Sequence, residues 1–398
     1  MATSPTSDGV NESQEVKSDA LPDVLVSAAV SLDGYLDDPR GGRLLLASEE
    51  DFDAVDALRA AADAVLIGAG TARRDDPELL VRAAVRRAAR ELSGMPPSPM
   101  RVVVSQSGEL PPSLRLFRDG KAPTRLYLPC GVRPFAHGVA ADCVEVAAVE
   151  GFSLRAVLEH LRQSGAQRAL VEAGERLSSE LLREGLVHEV RLAVAPVLVG
   201  YDGAPRWAGR LRLARNRAAG LTPWRVETLG GVAAIHWTRA QNGKPVPSRF
   251  LARNDAAWLA EAVQLSRRCR PSERAFSVGA ILVSEDNTPI ATGYSRELDE
   301  HCHAEEAALR KAAMMGADVR GATLYSSMEP CSVRLSGRLP CTDRIAAAGI
   351  RRVVYALREP PVFVRCEGHE KLRAAGVETH EIEALAAYAQ EVQRHLTA

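Results

Sequence analysis

The second half of the chain contains one histidine and two cysteines that a fold has to bring together at one point. His303-Ala304-Glu305 comes first, Glu329-Pro330-Cys331 follows, and Cys341 comes after nine further residues. One His and two Cys supply three corners of a tetrahedral zinc site and leave the fourth corner for water. We therefore predict one Zn²⁺ site formed by His303, Cys331 and Cys341.

Glu305 lies two residues after the histidine and is not required as a ligand. Zinc lowers the pKa of a bound water towards neutrality, and a nearby carboxylate can take its proton and pass it to a departing amine. This pattern predicts an enzyme that hydrolyses an amino group from a heterocycle, with Glu305 as the catalytic residue. Two alternatives remain open: a structural zinc site with His301 or Cys302 as a fourth ligand, and buried structural cysteines that bind no metal.

The residues around these motifs alternate between predicted strands and helices. Strands are predicted at 278–283, 289–294 and 322–327, and helices at 306–313 and 342–348. The histidine and the second cysteine therefore lie at helix N-termini, where the helix dipole favours a thiolate.

Residues 258–383 resemble the cytidine-deaminase superfamily, and most of all the deaminase of the bifunctional riboflavin-biosynthesis deaminase/reductases. The resemblance is carried by Glu329-Pro330-Cys331-Ser332 and by Gly337-Arg338-Leu339-Pro340-Cys341. It implies a cytidine-deaminase-like α/β/α domain with a mixed sheet. It also implies that Ser332 and Arg338 contact the substrate.

The chain departs from that family at three places near the phosphorylated substrate. Val333 replaces a histidine, one extra residue separates the two cysteines, and Ala275-Phe276-Ser277 replaces an Asn-Pro. Enzymes that deaminate transfer RNA or free cytidine usually have only two residues between the two cysteines. The longer gap here therefore favours the riboflavin-type relatives.

The first half alternates strands with helices over about 200 residues. This alternation implies a largely parallel sheet covered on both faces, with ligands bound at the carboxyl ends of the strands. Turns at 68–71 and 172–174 fall at such ends. The predicted strands are 24–30, 64–68, 101–105, 124–128, 168–172 and 189–199, and the predicted helices are 54–62, 153–164 and 176–184.

Ser31-Leu32-Asp33-Gly34, Asp75-Asp76-Pro77 and the apolar run at 195–200 give this half its own resemblance. It is similar to the reductase of the same riboflavin family, which implies a dihydrofolate-reductase-like α/β/α fold with a mostly parallel sheet and NADPH as cofactor. The positions that the resemblance assigns to the cofactor are Ala29, Thr71, Asp75 and Gly174, and those that it assigns to the substrate are Arg59, Leu79, Arg82 and Glu172.

Two departures concern the cofactor. Glu175 stands where the family has proline, and we expect its carboxylate to point outward and interact with the helix dipole. Ser105-Gln106 replaces an Asp-Ser near the position that would recognise the extra phosphate of NADPH. The choice of NADPH over NADH is therefore implied by the resemblance alone.

The 398 residues are enough for two domains that each bury a core. We predict a disordered tail at 1–20, a reductase-like domain at 21–240, a linker at 241–253 and a deaminase domain at 254–398. This order is the reverse of the usual bacterial riboflavin enzyme.

The net charge of −1 gives no electrostatic footprint for nucleic acid, and basic pairs such as Arg86-Arg87 and Arg267-Arg268 are interpreted as solvated helix faces. Seven cysteines without framework spacing indicate a reducing compartment. We expect no signal peptide and no membrane span, and therefore a cytoplasmic protein. The resemblance implies a homodimer or a higher homo-oligomer acting on a small-molecule pyrimidine ribotide.

The leading hypothesis is a bifunctional riboflavin-pathway enzyme. It would deaminate diaminohydroxyphosphoribosylaminopyrimidine with zinc and reduce the ribose of 5-amino-6-(phosphoribosylamino)uracil to the ribityl form with NADPH. A second hypothesis is a zinc deaminase of a related pyrimidine or nucleotide with a non-catalytic first domain, in a specialised pathway. A third is a nucleic-acid base deaminase, which the charge and the long Cys–Cys gap disfavour.

Overall fold

The computed structural model describes residues 21–41, 44–134, 144–172, 174–209, 211, 220–241, 244–246, 250, 253–363 and 366–396. The tail predicted at 1–20 lies outside the described residues, and so does part of the linker predicted at 241–253. Among the helices in the described ranges, none has the length and apolar character needed to cross a bilayer.

The first half forms one large sheet with helices on both faces. Its strand order is β10-β9-β7-β1-β6-β2-β3-β4-β5, with β8 paired to β9. The elements are β1 (Asp23–Ser31), α1 (Glu49–Ala61), β2 (Ala64–Gly68), α2 (Ala69–Asp75), α3 (Ala84–Leu92), β3 (Met100–Val104), α4 (Arg115–Arg118), β4 (Thr124–Pro129), β5 (Glu145–Val149), α5 (Leu154–Gln163), β6 (Arg168–Val171), α6 (Glu175–Arg183), β7 (Glu189–Ala195), β8 (Leu221–Leu229), β9 (Val232–Gln241) and β10 (Lys244–Pro245).

The seven strands from β1 to β7 run parallel to one another, which confirms the predicted mostly parallel sheet. β9 pairs antiparallel with both β7 and β8. The turn predicted at 68–71 is wrong, because α2 begins at Ala69 directly after β2. Gly68 has an extended backbone with φ −84°, so neither the strand end nor the helix start needs a left-handed residue there.

The second half forms a five-stranded sheet in the order β12-β11-β13-β14-β15. β11 is antiparallel to β12 and β13, whereas β13, β14 and β15 run parallel, which confirms the predicted mixed sheet. Its elements are α7 (Asp255–Ser266), β11 (Gly279–Val283), β12 (Pro289–Tyr294), α8 (Ala304–Met314), β13 (Thr323–Met328), α9 (Cys341–Ala347), β14 (Arg352–Leu357), α10 (Gly368–Ala374), β15 (Glu378–Glu381) and α11 (Ala386–Val392), with short 3₁₀ turns at Glu383–Leu385 and Arg394–Leu396.

Helix α3 of the first half packs against the second half. Val85 and Ala89 of α3 belong to the same buried cluster as Trp258 and Val263 of α7 and the underlying face of the second sheet. The interpretation of Arg86 as part of a solvated face is therefore wrong: its side chain is 1 % exposed. The basic pair indicated a solvated helix face, and the sequence could not show that the inner face of α3 packs on another domain.

Candidate functional site

The predicted zinc ligands come from three elements that meet at one end of the second sheet. His303 caps the N-terminus of α8, Cys341 is the first residue of α9, and Cys331 lies in the turn after β13. The His303 Nδ1 atom is 3.4 Å from the Cys331 Sγ atom and 3.6 Å from the Cys341 Sγ atom. Zn–N and Zn–S bonds of about 2.0 and 2.3 Å at tetrahedral angles place N and S about 3.5 Å apart. The three side chains therefore fit one zinc ion.

Among the residues that the structure describes, no fourth protein ligand joins this group. Within the described residues, the group that could hold a metal consists of His303, Cys331 and Cys341, whose ligand atoms lie within 4.8 Å of one another. The Cys302 thiol donates to the carbonyl of His303 at 3.5 Å, and His301 is exposed. The fourth corner is thus left to a small molecule, as in catalytic rather than structural zinc sites.

The protonation of the ligands is set by their contacts. A hydrogen bond from Cys341 lowers the pKa of the Cys331 thiol to about 4, although burial opposes this change, and His303 adds to the lowering. The same hydrogen bond and burial raise the pKa of Cys341. Burial would lower the pKa of His303, but the contact with Cys331 outweighs it and the pKa is raised. Cysteine binds a metal as its thiolate, and of the two cysteines Cys331 is the one that loses its proton more readily.

Glu305 is buried in the first turn of α8 and accepts a hydrogen bond of 2.8 Å from the Ser326 hydroxyl. Its pKa is raised because burial penalises the carboxylate, and the neighbouring His303 offsets part of this effect. A carboxyl group with a raised pKa is suited to accepting and then releasing a proton. Ser326, on β13, fixes its orientation.

The two predicted substrate positions of this half have different surroundings. The Ser332 hydroxyl is buried, accepts a hydrogen bond from the Glu367 amide at 2.9 Å and lies 3.9 Å from the Cys366 Sγ atom, so it organises the neighbouring loop. The Arg338 side chain is 36 % exposed and pairs with Asp299 at 2.8 Å. It is the one of the two that can reorient towards an anionic group. Val333, in place of the family's histidine, is 51 % exposed.

Glu359 is a carboxylate near this site that sequence analysis missed. Its pKa is raised to about 7, first by burial and then by the negative charges of Cys331 and Glu305, while Cys366 and His303 offset part of the rise. No motif marks it, but it follows β14, the parallel neighbour of β13. The carboxyl ends of adjacent parallel strands meet at one sheet edge, and this rule could have pointed to it.

The first half contains a cavity of about 1260 Å³ at the carboxyl ends of its parallel strands. All eight residues that the resemblance assigned to this half line it: Ala29, Arg59, Thr71, Asp75, Leu79, Arg82, Glu172 and Gly174. The topology thus brings together residues from positions 29 to 174 of the chain, at the edge where open α/β sheets bind ligands.

On the predicted substrate side, Arg59 and Glu172 form a two-pronged ion pair with N···O distances of 2.6 and 2.7 Å. The pKa of Arg59 is raised, because Glu172 outweighs the effect of burial. Arg59 also donates to the Leu80 carbonyl at 3.3 Å. Leu79 is fully buried with φ +53°, a conformation that non-glycine residues adopt rarely and mostly where the surroundings impose it.

On the predicted cofactor side, Gly174 caps the N-terminus of α6, and a Cβ atom there would lie 3.4 Å from the Thr71 hydroxyl. The Glu175 carboxylate lines the cavity and accepts a hydrogen bond of 3.1 Å from the Arg206 amide, so it is held by a neighbouring loop rather than by its own helix. The Ser105 hydroxyl is buried and accepts a hydrogen bond of 3.1 Å from the Gly108 amide. Gln106 is therefore the exposed side chain of this pair, and it lines the cavity.

Comparison with known proteins identifies both halves. Residues 22–231 match the family model described as the RibD C-terminal domain. Residues 252–357 match the cytidine and deoxycytidylate deaminase zinc-binding region. These matches confirm the predicted resemblance, and the order of the two domains is reversed relative to the Escherichia coli protein RibD.

Individual relatives match one half each. A 2,5-diamino-6-ribosylamino-4(3H)-pyrimidinone 5′-phosphate reductase from Archaeoglobus fulgidus is 37 % identical over 187 residues, which are 46 % of this chain and 84 % of the relative. A diaminohydroxyphosphoribosylamino-pyrimidine deaminase from Schizosaccharomyces pombe is 40 % identical over 126 residues, 31 % of each chain. The riboflavin biosynthesis protein RibD of Chlamydia pneumoniae is 30 % identical over 225 residues, 54 % of this chain and 57 % of that protein. This chain thus spans less than two thirds of the last two relatives.

Proposed function

The chain belongs to the family of the RibD C-terminal domain, and on that premise we propose that it is a bifunctional enzyme of riboflavin biosynthesis. It deaminates diaminohydroxyphosphoribosylaminopyrimidine in its second half. It reduces the ribose of 5-amino-6-(phosphoribosylamino)uracil to the ribityl form with NADPH in its first half. The observation that carries the proposal is the open three-ligand site with the buried Glu305 beside it.

The deaminase half acts by placing a pyrimidine between the metal site and a proton carrier. A zinc ion on His303, Cys331 and Cys341 would supply an activated water for the hydrolysis. Glu305 takes a proton at its carboxylate and delivers it to the departing amine, and Ser326 holds that carboxylate in place through its 2.8 Å hydrogen bond. Arg338, at the exposed edge of the site, binds the phosphate of the ribotide.

The reductase half acts by positioning, because the nicotinamide carries the hydride. Gly174 and Thr71 let the cofactor approach the N-terminus of α6 closely, and Ala29 and Asp75 line its side of the cavity. Arg59, Glu172, Leu79 and Arg82 hold the substrate. Since all eight positions line one cavity, a non-catalytic first domain is not favoured.

We further propose a reductase domain at 21–240, a linker at 241–253 and a deaminase domain at 254–398. We also propose that the protein acts on a small molecule, in the cytoplasm and as a homo-oligomer. The relatives supporting this carry the names of small-molecule enzymes of the pathway.

The test measures ammonia release from the diaminopyrimidinone ribotide and NADPH oxidation in the same zinc-loaded sample. Both signals are expected. Glu305→Gln should retain zinc and reduce ammonia release by a factor on the order of 10² to 10⁴, because the proton carrier is lost. The same variant should still oxidise NADPH when it is given the deaminated ribotide.

Glu297→Gln is the matched control, since Glu297 pairs with Lys311 on the same half and its loss removes the same charge. It should retain both activities. Full ammonia release by Glu305→Gln would contradict the assignment of Glu305. Folded, zinc-containing wild-type protein without either signal would contradict the proposed substrate.

A further inference from the structure

The junction between the two halves contains a buried guanidinium group that is bound by three carboxylates. Arg86 of α3 donates to Asp53 at 2.7 and 3.1 Å, to Asp56 at 2.9 Å and to Glu261 at 2.8 and 3.0 Å. All five of its N–H donors are therefore used. Asp53 and Asp56 belong to α1 of the first half, whereas Glu261 belongs to α7 of the second half.

Glu261 is the only one of the three that comes from the deaminase half. It also binds Arg253 at 2.7 Å, so it balances two buried guanidinium groups at once. Burial alone would raise its pKa, but Arg253 and Arg86 outweigh that effect and lower it to about 2. Removing one charge from such a buried group leaves its partner uncompensated, and the remaining side chains have to rearrange.

Asp56 connects this cluster to the reductase cavity. Its carboxylate accepts hydrogen bonds from the backbone amides of Arg82 and Ala83, directly before α3 begins. Residues 79–83 line or adjoin the cavity: Leu79 holds its positive φ there, and Arg82 faces it. A continuous path of contacts thus runs from Glu261 through Arg86 and Asp56 to the segment that holds the substrate.

We propose that Glu261, in the deaminase half, is a positioning residue for the reductase: it holds Arg86, which holds Asp56, which fixes residues 79–83 against the pyrimidine ribotide. This inference rests on the proposed reductase activity. Glu261 does not line the cavity, and among the described residues the hydrogen bonds of the cluster reach Arg82 and Ala83 on the substrate side rather than Thr71 or Gly174 on the cofactor side. Its effect is therefore confined to substrate binding.

The experiment uses the full-length, zinc-loaded chain with Glu261→Gln. The KM of the reductase for its pyrimidine ribotide should rise about ten-fold, because a displaced binding segment weakens substrate binding. The kcat of the reductase should stay within about two-fold of wild type, because the variant weakens binding of the substrate and of the transition state equally. The Kd for NADPH and the rate of ammonia release should also stay within about two-fold.

Asp255→Asn is the matched control. Asp255 lies on the same helix, but it pairs with Arg352 and Tyr325 of the second sheet rather than with α3. It should leave the KM of the reductase unchanged. The double variant with Asp56→Asn should show no larger KM than Asp56→Asn alone, because both changes act through one path.

Hydrogen–deuterium exchange gives a readout independent of turnover: Glu261→Gln should speed exchange in peptides covering residues 79–87, and Asp255→Asn should not. An unchanged KM and unchanged exchange in Glu261→Gln would overturn the inference while the proposed function stands. Loss of NADPH affinity and ammonia release together with the KM change would also overturn it, because Glu261 would then be a general stabilising residue. A wild-type chain that oxidises no NADPH would overturn the proposed reductase function, and the KM part of this inference with it, whereas the exchange result would still test the contact path.

Discussion

Single residues decide the chemistry of the second half through their positions at helix starts. His303 and Cys341 each stand at the beginning of a helix, where backbone amides have no partner within the helix and the dipole favours negative charge. Cys302 is equally buried and adjacent to His303, yet its thiol points to a carbonyl. Burial raises the pKa of Cys302. Position along the chain is thus a weaker guide to ligation than the direction of the side chain.

Substituting Cys341 and Cys302 one at a time distinguishes the effect of losing a metal ligand from the effect of losing a buried thiol. Cys341→Ser should lose the zinc and ammonia release, because only two ligands of the protein remain. Cys302→Ala removes a thiol of similar burial and should retain one zinc per chain and near wild-type ammonia release. Zinc content after dialysis, measured by mass spectrometry, checks both variants. Loss of zinc from Cys302→Ala would restore the alternative of a four-ligand structural site.

The three ligands and Glu305 could be predicted from the sequence because their spacing is short and their chemistry is restrictive. Glu359 was missed, since a carboxylate in a loop carries no signal until the strand order shows that β14 ends next to β13. The positive φ of Leu79 could not be predicted either, because it depends on the surroundings of the residue rather than on its type. Arg86 shows the opposite error: as part of a basic pair it was expected in solvent, and packing between the two halves buries it.

Among the elements, the position of α8 depends on a close approach to β12. A Cβ atom added at Gly293 would lie 2.2 Å from the Ala304 carbonyl oxygen and 2.5 Å from the Ala308 amide nitrogen. Those two backbone atoms belong to the first turns of α8, which present His303 and Glu305 to the site. Gly279 of β11 has the same relation to α7, with the Ala262 carbonyl oxygen 2.2 Å from its added Cβ. The absence of a side chain at one position thus sets the place of the metal ligand.

Alanine at each of these glycines tests this relation. Gly293→Ala and Gly279→Ala should each lower the free energy of unfolding by about 2 kcal/mol, because the helix has to shift away from the strand. Only Gly293→Ala should also weaken zinc binding, by about ten-fold, since a shift of α8 displaces one of three ligands. Competition with a zinc chelator measures the affinity, and thermal unfolding measures the stability. Equal zinc affinity in the two variants would show that α8 can move without moving the histidine.

Most elements were predictable where their pattern was local. The parallel strands β1, β2 and β6 are short apolar runs, and their sheet followed from the alternation with helices. The hairpin of β8 and β9 was not identified as two strands, because β8 mixes exposed and partly buried residues and lacks a clear apolar face. Its place in the sheet is set by pairing with β9 rather than by its own composition.

At the scale of the whole molecule, the two halves do not pack as separate bodies joined only by a linker. Val85 and Ala89 of α3 lie in the same buried cluster as Trp258, Leu259 and the strands of the second sheet. The deaminase core is therefore completed by a helix that precedes it by more than 150 residues in the chain. A reversed order of domains is compatible with this arrangement, because contacts rather than sequence order define the shared core.

This shared core makes the stability of the deaminase depend on a residue of the reductase half. Val85→Ala should lower the free energy of unfolding by about 2 kcal/mol and reduce the temperature at which zinc is released by about 5 °C, although the residue is distant from the ligands in sequence. Leu158→Ala is the control: Leu158 of α5 is fully buried on the other face of the first sheet, in a cluster without residues of the second half. It should destabilise the reductase at least as much and leave the temperature of zinc release unchanged.

Zinc release is followed with a colorimetric chelator during heating, and loss of NADPH binding is followed in parallel. Independence of the two halves would appear as a Val85→Ala variant with unchanged zinc release, and full cooperativity as a Leu158→Ala variant that releases zinc early. Either result would contradict a buried core that the two halves share at α3.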